Sequence, residues 1–447
     1  MIFLGLIAAA GLAASYYFNL FPLVWMILAG FFVYYERVGG RVLNRRFLMV
    51  LSVFILLHNS WMLSLSPWEG MAIILAGYLI STLYFLAWFV LAFKVMSWFS
   101  QERFATIWVA AIFVFVERAM TWGPWGYPFF SLYLTQAYSS ILSFCDIPWM
   151  GSSLLSFVML VTCGVAARLI LRVGSRNRRL YEGFAIFFLF MGLLIVTDKL
   201  HGKETRSDLR QIRIALIQPN IPEREKLNSI FYEKHLDYYI RLLRYVKAQE
   251  PSTQVFVFPE SIVSALWETR IADRLNREAL LTPSDLLIYG LPVSRGGQIY
   301  NGVLFFGQGE NRKNYLKRQL VPFGEYAPFK FWENHSIYSF SRGPVNRPVE
   351  IRSVKYGVAV CFESAFPAVF EKFRLSDILV VLTNDAWFND AFKELHLRTA
   401  IFRAAELRKF LLFVNNSGYS AIIDPRGKVL QRLPAGKAGY VSYTIRF

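Results

Sequence analysis

The chain has 447 residues, 55% of them hydrophobic, and a mean hydropathy of +0.37; these values exclude an ordinary soluble protein of two or three domains and place part of the chain in lipid. Its net charge of +17 comes with basic residues gathered in loops between apolar segments, which points to a membrane surface rather than to nucleic acid. The three cysteines, Cys145, Cys163 and Cys361, are widely spaced, with no CxxC and no Cys/His cluster, so neither a disulfide framework nor a zinc site is supported.

In chain order, apolar segments fall at about 2–18, 20–35, 47–65, 71–93, 104–119, 150–171 and 181–197, seven spanning candidates, some of marginal length. The first has no basic flank and runs straight into the second, so it reads as a retained helix rather than a cleaved leader. Arg37, Arg41, Arg45 and Arg46 occupy the second loop, Lys94 and Arg103 the fourth, and Arg172, Arg176, Arg178 and Arg179 the sixth, whereas the first, third and fifth carry no Lys or Arg. The positive-inside rule then makes the N-terminus cytoplasmic and everything after the seventh helix extracytoplasmic. The expected organisation is a polytopic transmembrane domain over 1–197, a linker over 198–210 and an extracytoplasmic catalytic domain over 211–447. Glu117 and Arg118 close the fifth segment, either as a pair near the mouth of a lipid pocket or as a cap among headgroups.

Beyond residue 210 short β-branched runs replace the long apolar ones, at 212–217, 255–258, 286–289, 303–306, 354–360, 378–382, 411–414, 421–423 and 440–445. Polar helical stretches at 224–249 and 392–409 separate several of them, the alternation of an α/β domain. The segment 329–340 is aromatic yet contains Glu333, Asn334 and His335, so it reads as a loop that dips into the bilayer interface or packs on its own domain. His335 and His396 read as ordinary polar residues rather than ligands.

Three residues at strand ends or strand-to-loop junctions carry candidate chemistry: Glu260 after 255–258, Lys317 in Tyr315-Leu316-Lys317, and Cys361 after 354–360. A thiol is mostly protonated at neutral pH, so a nucleophilic Cys361 needs a base, which Glu260 supplies, and the oxyanion formed on a carbonyl needs a fixed cation such as Lys317 with a backbone N–H. Singly each has a plain structural reading: a core cysteine, a solvated carboxylate in a turn, a surface lysine.

Together, Phe258-Pro259-Glu260, Tyr315-Leu316-Lys317 and Cys361-Phe362-Glu363 resemble the nitrilase (carbon-nitrogen hydrolase) superfamily, in which a Glu-Lys-Cys triad in this order sits in an αββα sandwich. Thr383-Asn384-Asp385-Ala386-Trp387-Phe388, Arg403-Ala404-Ala405-Glu406, Asn416-Ser417-Gly418 and Asp424-Pro425-Arg426-Gly427 extend the similarity. The N-terminal helices, with Leu320-Val321-Pro322-Phe323-Gly324-Glu325-Tyr326, Gln218-Pro219-Asn220-Ile221-Pro222 and Gly123-Pro124-Trp125-Gly126-Tyr127 with Gln136, resemble the apolipoprotein N-acyltransferase branch.

The resemblance implies a multi-helix transmembrane domain followed by a nitrilase-like αββα sandwich, in a bacterial inner membrane with the catalytic domain on the periplasmic side. It also implies a two-step reaction: Cys361 takes an acyl chain from a membrane phospholipid as a thioester and passes it to the α-amine of a diacylglyceryl-modified apolipoprotein. Glu260 would be the base and Lys317 the oxyanion partner, with Glu325 and Glu363 supporting the site and no metal or organic cofactor. A membrane-tethered amidase and an inactive lipoprotein-binding scaffold are the competing readings. Phe362 stands where the family has tyrosine, Leu227 where it has tryptophan and Asn389 where it has glycine; the chain stops at Phe447, so the external domain is expected to be tethered from its N-terminal side.

Overall fold

The change of period near residue 210 is a change of architecture. The computed structural model describes residues 2–65, 71–100, 104–122, 126–139, 151–172, 210–278, 281–307, 313–322, 324–326, 339–345 and 347–447. The chain forms two compact units, Met1–Thr205 and Arg206–Phe447.

The first unit is helical: α1 (Ile2–Ser15), α2 (Phe21–Arg37), α3 (Arg45–Asn59), α4 (Met71–Trp98), α5 (Ala105–Ala119) and α6 (Ser152–Arg172). Among the described residues, the stretches Arg45–Ser64, Ile74–Trp98 and Ser152–Leu171 are long and apolar enough to cross a membrane. Arg168 of α6 and Glu36 of α2 form an ion pair at 2.6 Å. The expected seventh segment at 181–197, Arg176, Arg178 and Arg179 of the sixth loop, Cys145, most of the linker, and 329–338 of the aromatic loop lie outside the described residues.

Between α5 and α6 the chain makes two buried 3₁₀ turns, Pro128–Phe130 and Leu132–Gln136. Non-helical backbone inside an apolar unit must find its hydrogen bonds within the protein. Glu117 provides one: only 5% exposed, it turns inward and accepts from the Leu132 amide and the Ser156 hydroxyl, each at 2.9 Å. Ser156 Oγ in turn accepts from the Tyr133 amide at 3.0 Å, and Trp25 Nε1 donates to Gln136 Oε1 at 3.1 Å. Glu117 therefore serves the buried turn, not the end of its own helix.

The second unit begins with β1 (Gln211–Gln218), α7 (Glu223–Lys226), α8 (Tyr232–Gln249), β2 (Val255–Val257), α9 (Glu268–Glu278), β3 (Leu286–Arg295), β4 (Gln298–Phe306) and β5 (Lys313–Leu316). It continues through β6 (Val349–Ile351), β7 (Val354–Val360), α10 (Pro367–Phe370), β8 (Ile378–Thr383), α11 (Asp390–Leu407), β9 (Phe410–Asn415), β10 (Ser420–Ile423), β11 (Val429–Leu433) and β12 (Gly439–Arg446). The strands form two six-stranded sheets, in the orders β12-β1-β2-β3-β4-β5 and β11-β10-β9-β8-β7-β6. Parallel pairing joins β1 to β2 to β3 and β7 to β8 to β9, and every residue of β8 is buried, as expected for strands covered on both faces.

Strand alternation sorts the layers. Phe256, Leu287 and Tyr289 point outward to a core shared with Leu236, Tyr239, Ile240 and Leu243 of α8 and Ile271 and Leu275 of α9. Phe305 of β4 points the other way and meets Tyr356 of β7 across the sheets, ring centroids 5.5 Å apart. α11 covers the second sheet, with His396 edge-on to Phe413. This is the αββα sandwich expected from the resemblance. All nine expected strands are present, and β5, β6, β11, α9 and α10 are additions. The helix expected at 224–249 breaks after α7, where the Asn228 side chain accepts from the Ile230 amide at 3.1 Å and starts a new turn.

Candidate active site

Glu260, Lys317 and Cys361 leave the sheets where strands end. After β2 the chain rides over β3: the Phe258 amide donates to Ile288 O, the Gly290 amide to Pro259 O and the Ile262 amide to Gly290 O, at 2.8, 3.1 and 2.9 Å. Ser261 takes the left-handed conformation (φ +49°), which turns the chain sharply just after Glu260. Glycine is required at 290 because a Cβ there would lie 2.6 Å from both Glu260 Cα and Ser261 N. Gly290→Ala should destabilise the protein by about 1–3 kcal/mol, read by thermal unfolding, and displace Glu260.

Lys317 follows β5. Its amide donates to Asn301 O and its carbonyl accepts from the Gly343 amide, both at 2.8 Å. The side chain is fully buried, and its ammonium lies 2.9 Å from Glu325 Oε1 and 3.7 Å from Glu260 Oε1. Asn301 Nδ2 donates to those same oxygens, at 2.7 Å to Glu260 and 2.8 Å to Glu325, so one amide and one ammonium bridge the two carboxylates. The other Glu325 oxygen accepts from the Val321 amide at 2.8 Å. Burial works against the Lys317 charge, but Glu325 and then Glu260 hold it well above the ordinary lysine range. Burial lifts the Glu260 carboxyl above its ordinary range; Lys317 opposes this and Glu325 adds to it.

Cys361 follows β7 in the left-handed conformation (φ +49°) and opens the 3₁₀ turn Cys361–Ala365, with its side chain half-buried. Burial first and Glu260 second raise its thiol, while Lys317 draws it down. The thiol therefore feels the charges of both Glu260 and Lys317. Glu363, fully buried, braces the turn: its oxygens accept from the Val360, Arg318 and Gln319 amides at 2.9, 2.9 and 3.0 Å and from the Tyr315 hydroxyl at 2.8 Å. One carboxylate thus ties the segment after Lys317 to the residue before Cys361.

Several residues that the sequence left unmarked also face this centre. Asn301 is one. Lys226, 1% exposed, donates from Nζ to Glu260 O at 3.1 Å, and burial draws its ammonium down against the pull of Glu223 and Glu260. His396, read above as an ordinary polar residue, is 1% exposed, with Nδ1 at 2.9 Å from Asp385 Oδ1 and Nε2 at 3.1 Å from Cys361 O. One donor atom each of Cys361, Asp385 and His396 falls within 4.8 Å of the others. Both Asp385 oxygens and both His396 ring nitrogens are already bonded inside the protein, so the cluster reads as a closed hydrogen-bond unit rather than an open cation site. Of the departures, Asn389 accepts from the Phe392 amide at 3.0 Å as the N-cap of α11, and Phe362 packs edge-on against Phe366.

Two facing sheets with an acid, an amine and a thiol at their strand ends define a class of enzyme fold, and residues 213–447 match the carbon-nitrogen hydrolase family: the chain belongs to it. Among individual proteins it is 34% identical to the apolipoprotein N-acyltransferase of Aquifex aeolicus (strain VF5), over 52% of this chain and 54% of that one. The protein of the same name from Haemophilus ducreyi is 28% identical over 73% of this chain and 66% of its own length. That from Pseudomonas syringae pv. tomato is 26% identical over 97% and 88%. The chain thus spans about half the length of the Aquifex relative and most of the Pseudomonas one.

Proposed function

We propose that this protein is an apolipoprotein N-acyltransferase. It moves a fatty acyl chain from a membrane phospholipid, through a Cys361 thioester, to the α-amino group of the N-terminal diacylglyceryl-cysteine of a lipoprotein. Residues 1–197 anchor it in a bacterial inner membrane and 211–447 carry the reaction on the periplasmic side. The observation that carries this reading is a fully buried lysine between two carboxylates, beside a half-buried cysteine, in a chain similar along 97% of its length to one protein of that name.

In the first step Glu260 takes the Cys361 proton as sulfur attacks the ester carbonyl. A carboxylate raised toward neutrality is a better base for a thiol than one at its ordinary value. Negative charge develops on the carbonyl oxygen, where the Lys317 ammonium and a backbone N–H at the head of the Cys361–Ala365 turn stabilise it. Collapse breaks the ester C–O bond, and the leaving glyceryl oxygen takes the proton back from Glu260. In the second step the acceptor amine attacks the thioester, Glu260 receives its proton, and sulfur leaves and is reprotonated. The products are an amide and a free thiol. Glu325 keeps Lys317 charged and in place, and Glu363 fixes the turn. This is acid-base and nucleophilic chemistry, and no step calls for a metal or an organic cofactor.

Membership of the carbon-nitrogen hydrolase family favours one alternative, in which water resolves the thioester and the protein is a membrane-tethered amidase. A single experiment separates the readings: incubate the full chain in membranes with labelled phospholipid, identify the adduct on Cys361 by mass spectrometry, then add a diacylated lipopeptide. The acyl group should pass to the peptide amine, and Cys361→Ala should carry none. Loss to water alone would support the amidase, and no adduct at all would leave only a binding role.

A further inference from the structure

The carbonyl of Cys361 is held by a residue that the reaction above does not use. His396, on α11, places Nε2 3.1 Å from that carbonyl and 2.9 Å from Ser364 Oγ. Its Nδ1 lies 2.9 and 3.1 Å from the two carboxylate oxygens of Asp385, in the turn after β8. Asp385 is itself fixed: Asn415 Nδ2 donates to Oδ2 at 2.6 Å, Thr383 Oγ1 donates to Oδ1 at 3.0 Å, and its own amide donates to Asn415 Oδ1 at 3.0 Å. Cys361, Asp385 and α11 are thereby joined through one imidazole.

The donors and acceptors decide the protonation state. Nδ1 faces a carboxylate and Nε2 faces the Cys361 carbonyl, neither of which can donate. The Ser364 hydroxyl, also beside Nε2, has Thr399 Oγ1 at 3.0 Å to donate to, because Thr399 gives its own hydrogen to His396 O at 2.7 Å, so both ring nitrogens carry hydrogen. The ring is a cation. Asp385 is fully buried and needs a counter-charge in place, which the imidazolium supplies.

We infer that His396 is a positioning residue of the thiol centre: an imidazolium anchored by Asp385 that grips the Cys361 carbonyl in its left-handed conformation and offsets the Asp385 charge beside the sulfur. The inference rests on the reading of Cys361 as the nucleophile. Asp385 already opposes thiolate formation alongside Glu260, with Lys317 as the favourable charge; without the imidazolium the Asp385 charge would act on the sulfur with no neighbour to offset it. Asp385 holds the imidazole above its ordinary range against the effect of burial, and Glu260 adds to this. The charged groups around the sulfur and the ring are therefore Glu260, Asp385 and Lys317, with Lys226 bonded to the Glu260 carbonyl, Glu325 paired with Lys317, and Glu363 on the amides of Val360, Arg318 and Gln319. A neutral hydrogen-bonding role would leave the acidity of the sulfur unchanged.

The test is the pH dependence of iodoacetamide alkylation at Cys361, in which the thiolate displaces iodide, followed by peptide mass spectrometry on the full chain in detergent. It needs no acyl transfer. His396→Gln keeps a donor for the carbonyl but not the charge, so the alkylation midpoint should rise by about one pH unit, a tenfold slower rate at neutral pH. In Asp385→Asn/His396→Gln the pair is neutral again and the midpoint should return toward that of the native protein. If His396→Gln fails to fold, Asp385→Asn alone decides: its profile should gain a step near the ordinary histidine range, about 6.5, that the native protein lacks. A native profile that already shows that step, or a His396→Gln midpoint equal to the native one, overturns the inference. These shifts without an acyl adduct would instead sink the proposed function and leave the imidazolium standing.

Discussion

Lys317→Met is expected to slow formation of the Cys361 acyl adduct by about 100- to 1,000-fold, the usual cost of losing one oxyanion donor. The same change should destabilise the protein by about 3–5 kcal/mol at neutral pH, because removing one member of a buried charge cluster leaves its partners uncompensated. Glu260 and Glu325 would then face each other with only the Asn301 amide between them. The two carboxyls would share a proton to relieve the repulsion, raising their folded-state affinity for protons above the unfolded value. A group whose folded pKa is raised stabilises below its unfolded pKa and loses that contribution as pH rises through the folded one. The stability deficit of Lys317→Met should therefore shrink toward pH 4 and widen toward pH 8. Thermal unfolding across that range, beside mass spectrometry of the adduct, checks both halves. A variant that acylates at the native rate would remove Lys317 from the chemistry.

What the sequence made legible follows where the side chains spend their energy. Strands buried on both faces, such as β7 and β8, need apolar runs that stand out of the sequence, and each was readable. The strands that escaped, β5, β6 and β11, are all sheet edges, short or polar, with sequences such as KNYL and VLQRL. Edge strands carry polar residues because an apolar edge would pair with another chain, so the composition that protects them also hides them. α9 was missed because Ile271, Ala272 and Leu275 make a narrow apolar stripe among charges.

At the site, Glu260, Lys317 and Cys361 were readable from chain order and strand ends, whereas Glu325 and Glu363 needed the family resemblance. Asn301, Lys226 and His396 were invisible for a different reason. Each works through backbone or side chains 24 to 41 residues away, and no local pattern records such a contact. A helical histidine beside Leu395 and Leu397 looks like any polar residue until β7 and β8 bring Cys361 and Asp385 to it. Asp385 and His396 lie 11 positions apart, but Asn389, Asp390, Lys393 and Glu394 stand between them, so the pair does not stand out from an ordinary polar helix start.

Glu260→Gln should leave the fold nearly intact and slow adduct formation by about 100- to 10,000-fold, the range for a positioned general base. The glutamine oxygen can still accept from Asn301, and Lys317 keeps its 2.9 Å contact with Glu325, so no buried charge is orphaned. What disappears is the acceptor for the thiol proton. In the native protein the acylation rate should rise with pH as Glu260 ionises. That limb should lie above the ordinary glutamate value of about 4.3, because burial and Glu325 favour the protonated form more than Lys317 disfavours it. In Glu260→Gln the limb should vanish, and the residual rate should climb only with ionisation of the thiol itself, which burial and Asp385 still hold high. Rates of thioester formation from pH 4 to 9 distinguish the two profiles. If the variant kept the native acid limb, some other group would be taking the proton, and the buried Lys226 and the Asp385–His396 pair would be the first to test.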